Sequence, residues 1–273
     1  MRLRRADDGL LPSVRTLWKE AFGDTDQDIS LFFQHHAAAQ TLVCVERGEV
    51  CAMLSWFWMR LVLPDKTTRR AAYLYAVATR RAYRGRGLAG TLLREAERCL
   101  QAEGAACVFL SPASESLFDF YARFGYQRAL SRAESVCAAE DCGLQLCAAS
   151  PEDYAAARDP LLRGGYVAYG ESLSYQQALC RETGGGLYLL SRGRECGCAC
   201  VSWNAGQLRI EELLPPSPML AAGLCAALGA RQASCVTQGE MGAAEEATQW
   251  TGMTKWLSDP PPDRRFYFPF AFG

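Results

Sequence analysis

The chain has 273 residues and, at about 150 residues per domain, is long enough for one large domain or two modest ones. Hydrophobic residues make up 49% and charged residues 22%, which is typical of globular proteins and excludes disordered and fibrous classes. Lys and Arg total 29 against 30 Asp and Glu, and the net charge of -1 gives no overall electrostatic reason to bind nucleic acid or an anionic membrane. Any anion-binding site must therefore be local.

The N-terminal residues are basic but contain no apolar run of the length that a secretory signal needs, and no segment approaches the roughly 20 apolar residues that span a bilayer. We therefore expect a cytoplasmic protein. The 13 cysteines are an odd number, which fits a reduced compartment better than a complete disulfide framework. With only two histidines and no C-x-x-C pair, we expect no metal site and interpret the cysteines as small buried hydrophobic residues, alternating along one face of a strand at Cys196, Cys198 and Cys200.

Hydrophobic periodicity predicts two helices and then three strands at the start of the chain. The helices cover residues 7–22 and 26–36, and the strands cover residues 40–46, 50–63 and 71–79. An Arg- and Gly-rich loop then opens an amphipathic helix at residues 87–103. A strand at residues 106–110 and a helix at residues 114–124, ended by Gly125, complete this half.

The second half repeats this order of elements without repeating the sequence. Its predicted helices cover residues 152–162, 171–181 and 218–228, and its predicted strands cover residues 187–191, 196–203, 208–214 and 234–237. We therefore predict an α/β fold with mixed sheets, built as two copies of one plan. The predicted domains are residues 1–140 and 141–273.

The loop before the third helix is the strongest functional signal. Residues 73–93 read YLYAVATRRAYRGRGLAGTLL, a strand followed by a basic loop and a helix. The start of such a helix presents unpaired N–H groups and a positive dipole end, which suit a phosphate or pyrophosphate. Glycines let the backbone approach the ligand, and guanidinium groups pair well with phosphate oxygens. These residues are Gly85, Gly87, Gly90, Arg80, Arg81, Arg84 and Arg86.

The loop has three alternative interpretations. Gly85 to Gly90 also fits G-x-G-x-x-G, but in a dinucleotide-binding fold the glycines follow the strand directly and an acidic residue ends the next strand. Here five residues intervene, and the next strand ends at Ser111 without a carboxylate. No Gly-Lys-Ser/Thr follows, which excludes a P-loop. The arginines could also simply solvate a helix start.

The segment resembles the signature of the GCN5-related N-acetyltransferases (GNAT), R/Q-x-x-G-x-G/A, with Arg84, Gly87 and Ala89 as the matching residues. A second landmark of the family follows one helix and one strand later as LFDFYARFGYQRA at residues 117–129. The resemblance implies acetyl-CoA as co-substrate, with its pyrophosphate held by the loop. The coenzyme-binding residues implied there are Arg84, Gly85, Arg86, Gly87, Leu88, Ala89 and Gly90.

The resemblance also implies roles for two neighbouring elements. Tyr121 matches the family tyrosine beside the coenzyme sulfur, and a phenol is a suitable general acid for a thiolate leaving group; the alternative is that it only packs among aromatic neighbours. On the preceding strand, Val77, Ala78 and Thr79 match residues whose main-chain groups bond the pantetheine arm, so that the ligand acts as an added strand. One of these amides is also a candidate oxyanion donor.

Within the family, the double-domain plan and the sequence ASE before the tyrosine segment look like the enhanced-intracellular-survival type of acetyltransferase. By that likeness Ser114 and Glu115 are coenzyme contacts. The chain differs from those relatives in lacking their third, sterol-carrier-like domain and in having two extra residues before the tyrosine. Their multi-site aminoglycoside chemistry is therefore not assumed for this chain.

The second copy lacks the features of the first loop. Its strand at residues 208–214 runs into Pro215, Pro216, Ser217 and Pro218, and proline has no N–H to offer a pyrophosphate. We expect a degenerate GNAT fold that binds no coenzyme and instead shapes the acceptor pocket or an oligomer contact. The prediction is one coenzyme per chain.

The aromatic tail at residues 264–273 predicts a closing strand of the second domain. By resemblance to the survival-type enzymes, the alternative is that the Gly273 carboxylate enters the active site as a base. Glu46 and Glu115 are further candidates for the base, and Tyr75 is a candidate on the acceptor side.

Together these features predict an N-acetyltransferase that acts on a primary amine of a small molecule or peptide, by direct attack on the thioester in a ternary complex. The alternative function is a coenzyme-A-binding sensor or scaffold with little turnover.

Overall fold

The structure is a computed structural model that describes residues 1–238 and 250–272. Its chain divides into two compact units. Unit 1 comprises Met1–Arg60, Arg69–Gln127 and Met253–Pro260, and unit 2 comprises Leu61–Thr68, Arg128–Gly252 and Pro261–Gly273. Each unit combines helices with β-strands, which confirms the predicted mixed α/β class. In the described ranges, no helix is both long enough and apolar enough to cross a bilayer.

The described helices and strands follow the predicted order with added strands at several junctions. The helices are α1 (Leu11–Phe22), α2 (Asp26–His35), α3 (Leu88–Ala102), α4 (Glu115–Ala122), α5 (Pro151–Arg158), α6 (Leu173–Glu182) and α7 (Pro218–Ala227). The strands are β1 (Arg2–Arg5), β2 (Thr41–Glu46), β3 (Glu49–Val62), β4 (Thr68–Thr79), β5 (Cys107–Leu110), β6 (Gln127–Ser131), β7 (Ala133–Ala138), β8 (Gln145–Ala148), β9 (Tyr166–Ala168), β10 (Gly186–Arg192), β11 (Glu195–Asn204), β12 (Gln207–Leu214), β13 (Gln232–Thr237), β14 (Trp250–Trp256) and β15 (Phe266–Tyr267).

In unit 1 the strands lie in the order β1, β2, β3, β4, β5, β14. β4 and β5 are parallel because α3 crosses between them, whereas β14 runs antiparallel to β5 with Met253 opposite Leu110. The local sequence explains the helix ends: Thr25 and Asp28 form a capping box at the start of α2, and Gly23 ends α1 in a left-handed conformation. The predicted apolar face of α3 is buried against the unit.

In unit 2 a six-stranded sheet has the order β7, β13, β12, β11, β10, β8. Leu190, Val201, Ile210, Leu220 and Leu224 pack together in its core. Cys198 and Cys200 of β11 are buried in this unit, while Cys196 at the start of the strand is exposed. All 13 cysteines carry free thiols, and the described residues contain no group of three His, Cys, Asp or Glu side chains that could hold a metal ion.

The aromatic tail forms a shorter strand than the sequence predicts. β15 has only two residues, which pair in parallel with β6 and β9 of the same unit. Proline follows at position 269 and cannot donate to a ladder, so the chain continues without regular structure. The apolar side chains are nevertheless buried as predicted, including Phe266, Phe268, Phe270 and Phe272.

A buried ion pair that the sequence does not reveal lies in unit 2. Arg158 Nε donates to Glu212 Oε2 at 2.8 Å, and the Tyr154 hydroxyl donates to the same oxygen at 2.8 Å. Arg158 also donates to the carbonyl of Val167 and lies over the ring of Tyr169. Both charged side chains are almost fully excluded from water, at 2% and 0% exposure. Each charge therefore depends on the other for its stability in the protein interior.

We expect Arg158→Met to lower the free energy of unfolding by about 3–5 kcal/mol, because it leaves the Glu212 carboxylate buried without its cation. Urea denaturation followed by circular dichroism measures this loss. The matched control is Arg98→Met, since Arg98 forms an exposed ion pair with Glu95 on α3 and its removal should cost far less. Equal losses in the two variants would contradict the assignment.

Candidate active site

The basic loop of unit 1 leaves the start of α3 open to a ligand. Gly85 and Gly87 adopt left-handed φ angles of 76° and 74°, which residues with a side chain rarely tolerate. Gly87 is the N-cap of α3 and offers no side chain to the first turn, and the first helical bond runs from Thr91 N to Gly87 O at 3.1 Å. The N–H groups that precede this bond have no partner within the helix. They form the kind of concave donor set that binds anions.

The four arginines of the loop have different partners. Arg80 lies near Glu20 and Glu49 at 3.8 and 3.5 Å and donates to the carbonyl of Val50, so its charge is partly neutralised by the unit itself. Arg86 pairs with Glu46 at 3.0 Å.

The other two arginines of the loop, Arg81 and Arg84, are exposed. Arg84 Nε donates to the carbonyl of Thr79 at 3.2 Å, which ties the loop to the end of β4. The positive charge available to an anion is therefore concentrated on fewer arginines than the sequence suggests.

β4 and β5 separate next to this loop. Their parallel ladder runs from Ala71 opposite Cys107 to Tyr73 opposite Phe109, while β4 continues for six further residues to Thr79. Ala76, within that extension, has a left-handed φ of 51°. A non-glycine residue in this conformation is strained, and such strain is common at functional sites.

The extension contains Val77, Ala78 and Thr79, the residues predicted to bond the pantetheine arm. The hydroxyl of Thr79 is buried without a hydrogen-bond partner. On the side of β5, main-chain groups of this extension lie beyond the ladder, and an added strand requires such groups.

Tyr121 of α4 is an electrostatic neighbour of Tyr73, the last residue of β4 in the ladder with β5. Burial raises the pKa of Tyr73 well above its usual value, and the nearby hydroxyl groups of Tyr75 and Tyr121 add smaller contributions. The Tyr121 side chain is 7% exposed, and burial raises its pKa to about 12. Its ring centroid is 5.8 Å from that of Tyr126. The phenol therefore stays protonated at any physiological pH and can serve as a proton donor.

Gly90 has a packing role in addition to the predicted coenzyme contact. An added Cβ there would lie 2.6 Å from the ring of Phe124, so only glycine lets α3 approach this ring. Leu88 is buried, while Ala89 is half-buried at the helix start. Ser114 and Glu115 begin α4 and are exposed, and the Ser114 hydroxyl lies 3.1 Å from that of Ser116.

Two of the three candidate bases, Glu46 and Glu115, lie in the described part of the chain. Glu46 is held by Arg86, as described above. Glu115 is exposed at the first turn of α4. Gly273 lies outside the described residues.

An aromatic cluster surrounds Tyr75, the predicted acceptor-side residue. Its ring stacks on Phe32 at 5.6 Å and lies 5.8 Å from Phe57 and 6.0 Å from Trp18. His36 joins the cluster at 4.3 Å from Phe32, and no local pattern in the sequence identifies it, because the contact arises from tertiary packing. Tyr75 is half-buried whereas Phe32 and Trp18 are buried, so most of the cluster is core and Tyr75 is its edge.

His36 makes the folding of unit 1 sensitive to acid. Burial lowers the pKa of His36 to about 4, although the hydrogen bond to the carbonyl of Gln40 partly opposes this shift. The unfolded chain, with a pKa near the ordinary 6.5, binds more protons than the folded chain between these two values. The free energy of unfolding therefore falls as the pH drops from 6.5 to 4, by up to about 3 kcal/mol from this residue.

We expect His36→Gln to remove this part of the pH dependence. Chemical denaturation at a series of pH values measures it as the difference between the wild type and the variant, since the carboxylates titrate in both. His35→Gln is the matched control, because His35 is exposed. The interpretation is wrong if the two variants have the same dependence on pH.

In unit 2 the start of α7 corresponds to the start of α3, but it is less accessible to an anion. α7 begins with Pro218 at its first position, and the side chain of Ser217 accepts a hydrogen bond from Leu220 N at 3.3 Å. A helix start that is capped by its own serine and carries a proline offers an anion fewer donors than the start of α3. This contrast is consistent with the predicted degeneracy of the second copy.

Comparison with known proteins agrees with this geometry. The acetyltransferase (GNAT) domain family matches residues 2–129. Among solved structures, a GCN5-related N-acetyltransferase from Kribbella flavida is similar over 94% of this chain and 71% of its own, with 20% identity and a TM-score of 0.71. A comparison with curated protein sequences finds no significant match.

Two further structures share the fold over 94% of this chain. They are Eis1 from Mycobacterium abscessus, with 14% identity, a TM-score of 0.68 and 74% of that chain covered, and a probable N-acyltransferase from Enterococcus faecalis V583, with 14% identity, a TM-score of 0.72 and 72% of that chain covered. The presence of a β-sheet in each unit fits the predicted tandem organisation. Residues 2–129 of the chain thus match the acetyltransferase (GNAT) domain family, and the chain shares the fold of these solved structures.

Proposed function

We propose that the chain transfers an acetyl group from acetyl-CoA to a primary amine of a small molecule or peptide. The observation that carries this proposal is the open start of α3 beside the end of β4 that extends beyond the ladder with β5. A diphosphate fits the loop, because its N–H groups and the exposed Arg84 are donors for phosphate oxygens. Acetyl-CoA supplies the activated acetyl thioester when it is bound.

The proposed chemistry is direct attack in a ternary complex. The neutral amine nitrogen forms a bond to the thioester carbonyl carbon, and the carbon–sulfur bond breaks. Tyr121 donates its hydroxyl proton to the departing sulfur, and the amine proton passes to solvent through water or a carboxylate. A main-chain N–H of β4 at Val77 or Ala78 stabilises the carbonyl oxygen during the attack.

Two further features belong to the proposal. Tyr75 faces the acceptor from the edge of the aromatic cluster, which suits an amine attached to an apolar or aromatic group. Because the start of α7 is closed by Ser217 and Pro218, each chain binds one coenzyme in unit 1. Calorimetry with coenzyme A should therefore give a stoichiometry near one.

Thiol release from acetyl-CoA in the presence of an amine panel tests the proposed reaction. The panel contains aminoglycosides, polyamines and peptides with free N-termini. We expect at least one class to accelerate thiol release above the rate without amine and to yield an acetylated product by mass spectrometry. Binding of acetyl-CoA without turnover on any amine would instead favour a coenzyme-binding sensor.

A further inference from the structure

Two cysteine side chains of unit 2 are in contact at one edge of its sheet. Cys137 lies on β7, the edge strand of the six-stranded sheet, and Cys225 lies on α7, which packs against that strand. Their Sγ atoms are 3.3 Å apart, and Sγ of Cys137 also lies 3.5 Å from the carbonyl oxygen of Ala233. The two sulfur atoms need to approach by only about 1 Å to reach the bond length of a disulfide.

Access from solvent distinguishes this pair from a second pair of close thiols. Cys180 and Cys200, the internal pair, lie 3.4 Å apart, but their side chains are 1% and 0% exposed. Cys137 is half-buried and lies on an edge strand, whereas its partner Cys225 is buried. An edge strand has a neighbour on one side only, and such segments open locally more readily than the centre of a sheet. A small oxidant therefore reaches Cys137 before either thiol of the internal pair.

The next two cysteines along the chain are placed away from Cys225. Cys142 contacts the first turn of α7, where its Sγ lies 3.7 Å from the carbonyl oxygen of Met219. Met219 and Cys225 are separated by about 9 Å along the helix axis, at 1.5 Å per residue. Cys147 is exposed on β8, which is the opposite edge of the sheet from β7. Among these three cysteines, Cys137 is therefore the one that the fold brings to Cys225.

We propose that Cys137 and Cys225 form a reversible disulfide when the protein is exposed to hydrogen peroxide. The Cys137 sulfur attacks one oxygen of the peroxide, the O–O bond breaks, and a sulfenic acid and one water form. The Cys225 sulfur then attacks the Cys137 sulfur and the S–O bond breaks. The hydroxyl group leaves as a second water with the proton of the Cys225 thiol. Two thiols are thus oxidised to one disulfide while one peroxide is reduced to two water molecules.

The disulfide joins the edge strand to α7 across 88 positions of the chain. A cross-link over a segment of this length reduces the conformational entropy of the unfolded chain, so the oxidised protein should be the more stable form. We expect the midpoint of its thermal unfolding to rise by about 5 °C or more. A thiol reductant should reverse this rise.

Mass spectrometry of the full chain after peroxide treatment tests the proposal. Catalase removes the peroxide, N-ethylmaleimide in denaturant blocks the remaining thiols, and cleavage before Asp141 separates Cys137 from the next two cysteines. We expect peptides that are cross-linked between Cys137 and Cys225, while the internal pair carries N-ethylmaleimide. The proposal is overturned if Cys137 remains a thiol, ends only as a sulfinic or sulfonic acid, or links to another cysteine. Equally fast cross-linking of the internal pair would also overturn it.

Serine variants locate the cross-link and its effect on stability. Cys137→Ser should abolish both the cross-linked peptide and the rise of the unfolding midpoint, since it removes the thiol that the peroxide reaches first. Cys147→Ser is the matched control, because it removes an exposed thiol at the opposite edge of the sheet and should change neither result.

Where Cys137→Ser does not fold, Cys225→Ala carries the test. A rise of the midpoint that persists in the folded variant would contradict the assignment. Neither coenzyme nor turnover enters these measurements, so their failure leaves the proposed acetyl transfer standing.

Discussion

Replacing Tyr121 with phenylalanine should lower kcat about 10²- to 10⁴-fold, because the variant keeps the ring but loses the proton that the leaving thiolate requires. The dissociation constant of acetyl-CoA should change little, since the coenzyme is held mainly by main-chain groups of other elements. Steady-state kinetics of thiol release and calorimetry measure the two quantities. Because burial raises the pKa of Tyr121 to about 12, its ionisation should not change the rate at any pH below that value.

Tyr126→Phe is the matched control for this variant. Its ring is buried and lies 5.8 Å from that of Tyr121, so removing the hydroxyl keeps the aromatic packing around Tyr121. We expect nearly wild-type kcat. Equal losses in the two variants, or none in Tyr121→Phe, would exclude Tyr121 as the proton donor.

Gly87→Val should weaken coenzyme binding by about 100-fold or more. The left-handed φ of 74° at Gly87 is unfavourable for valine, and the loop must move to relieve the strain, which displaces the donors at the start of α3. Loss of two charge-assisted hydrogen bonds is enough for a change of this size. Calorimetry with coenzyme A measures it.

Gly104→Val is the control that distinguishes damage to the coenzyme site from a general loss of stability. Gly104 has a φ of 88° just beyond the other end of α3, so valine meets the same kind of strain far along the helix from the loop. Both variants should lose a similar amount of stability, about 1–3 kcal/mol. Only Gly87→Val should lose coenzyme affinity, and a comparable loss in Gly104→Val would show that the effect is not local.

The elements with strong local patterns are the ones that the sequence predicts well. The helix at residues 88–102 has a regular apolar face and a glycine start, and its predicted bounds differ from the observed ones by one residue at each end. In contrast, β14 was not predicted, because its position beside β5 depends on pairing between residues more than 140 positions apart. Short strands such as β6 and β9 carry too few residues for a periodic signal.

The candidate site shows the same division. The glycines of the loop can be predicted because a left-handed backbone limits residue choice, and both Gly85 and Gly87 adopt that conformation. The ion pairs of Arg80 and Arg86 could not be predicted, since their partners Glu20, Glu49 and Glu46 lie at distant positions in the sequence. The buried ion pair between Arg158 and Glu212 could not be predicted for the same reason, because the two residues lie far apart in the sequence.

Backbone amide resonances of the isotope-labelled protein, followed during a titration with coenzyme A, test the central claim most directly. If main-chain donors at the start of α3 hold the diphosphate, the largest shifts will fall on residues 85–90, with further shifts at residues 77–79. Shifts confined to other parts of the chain, or none at saturating coenzyme, would contradict the account.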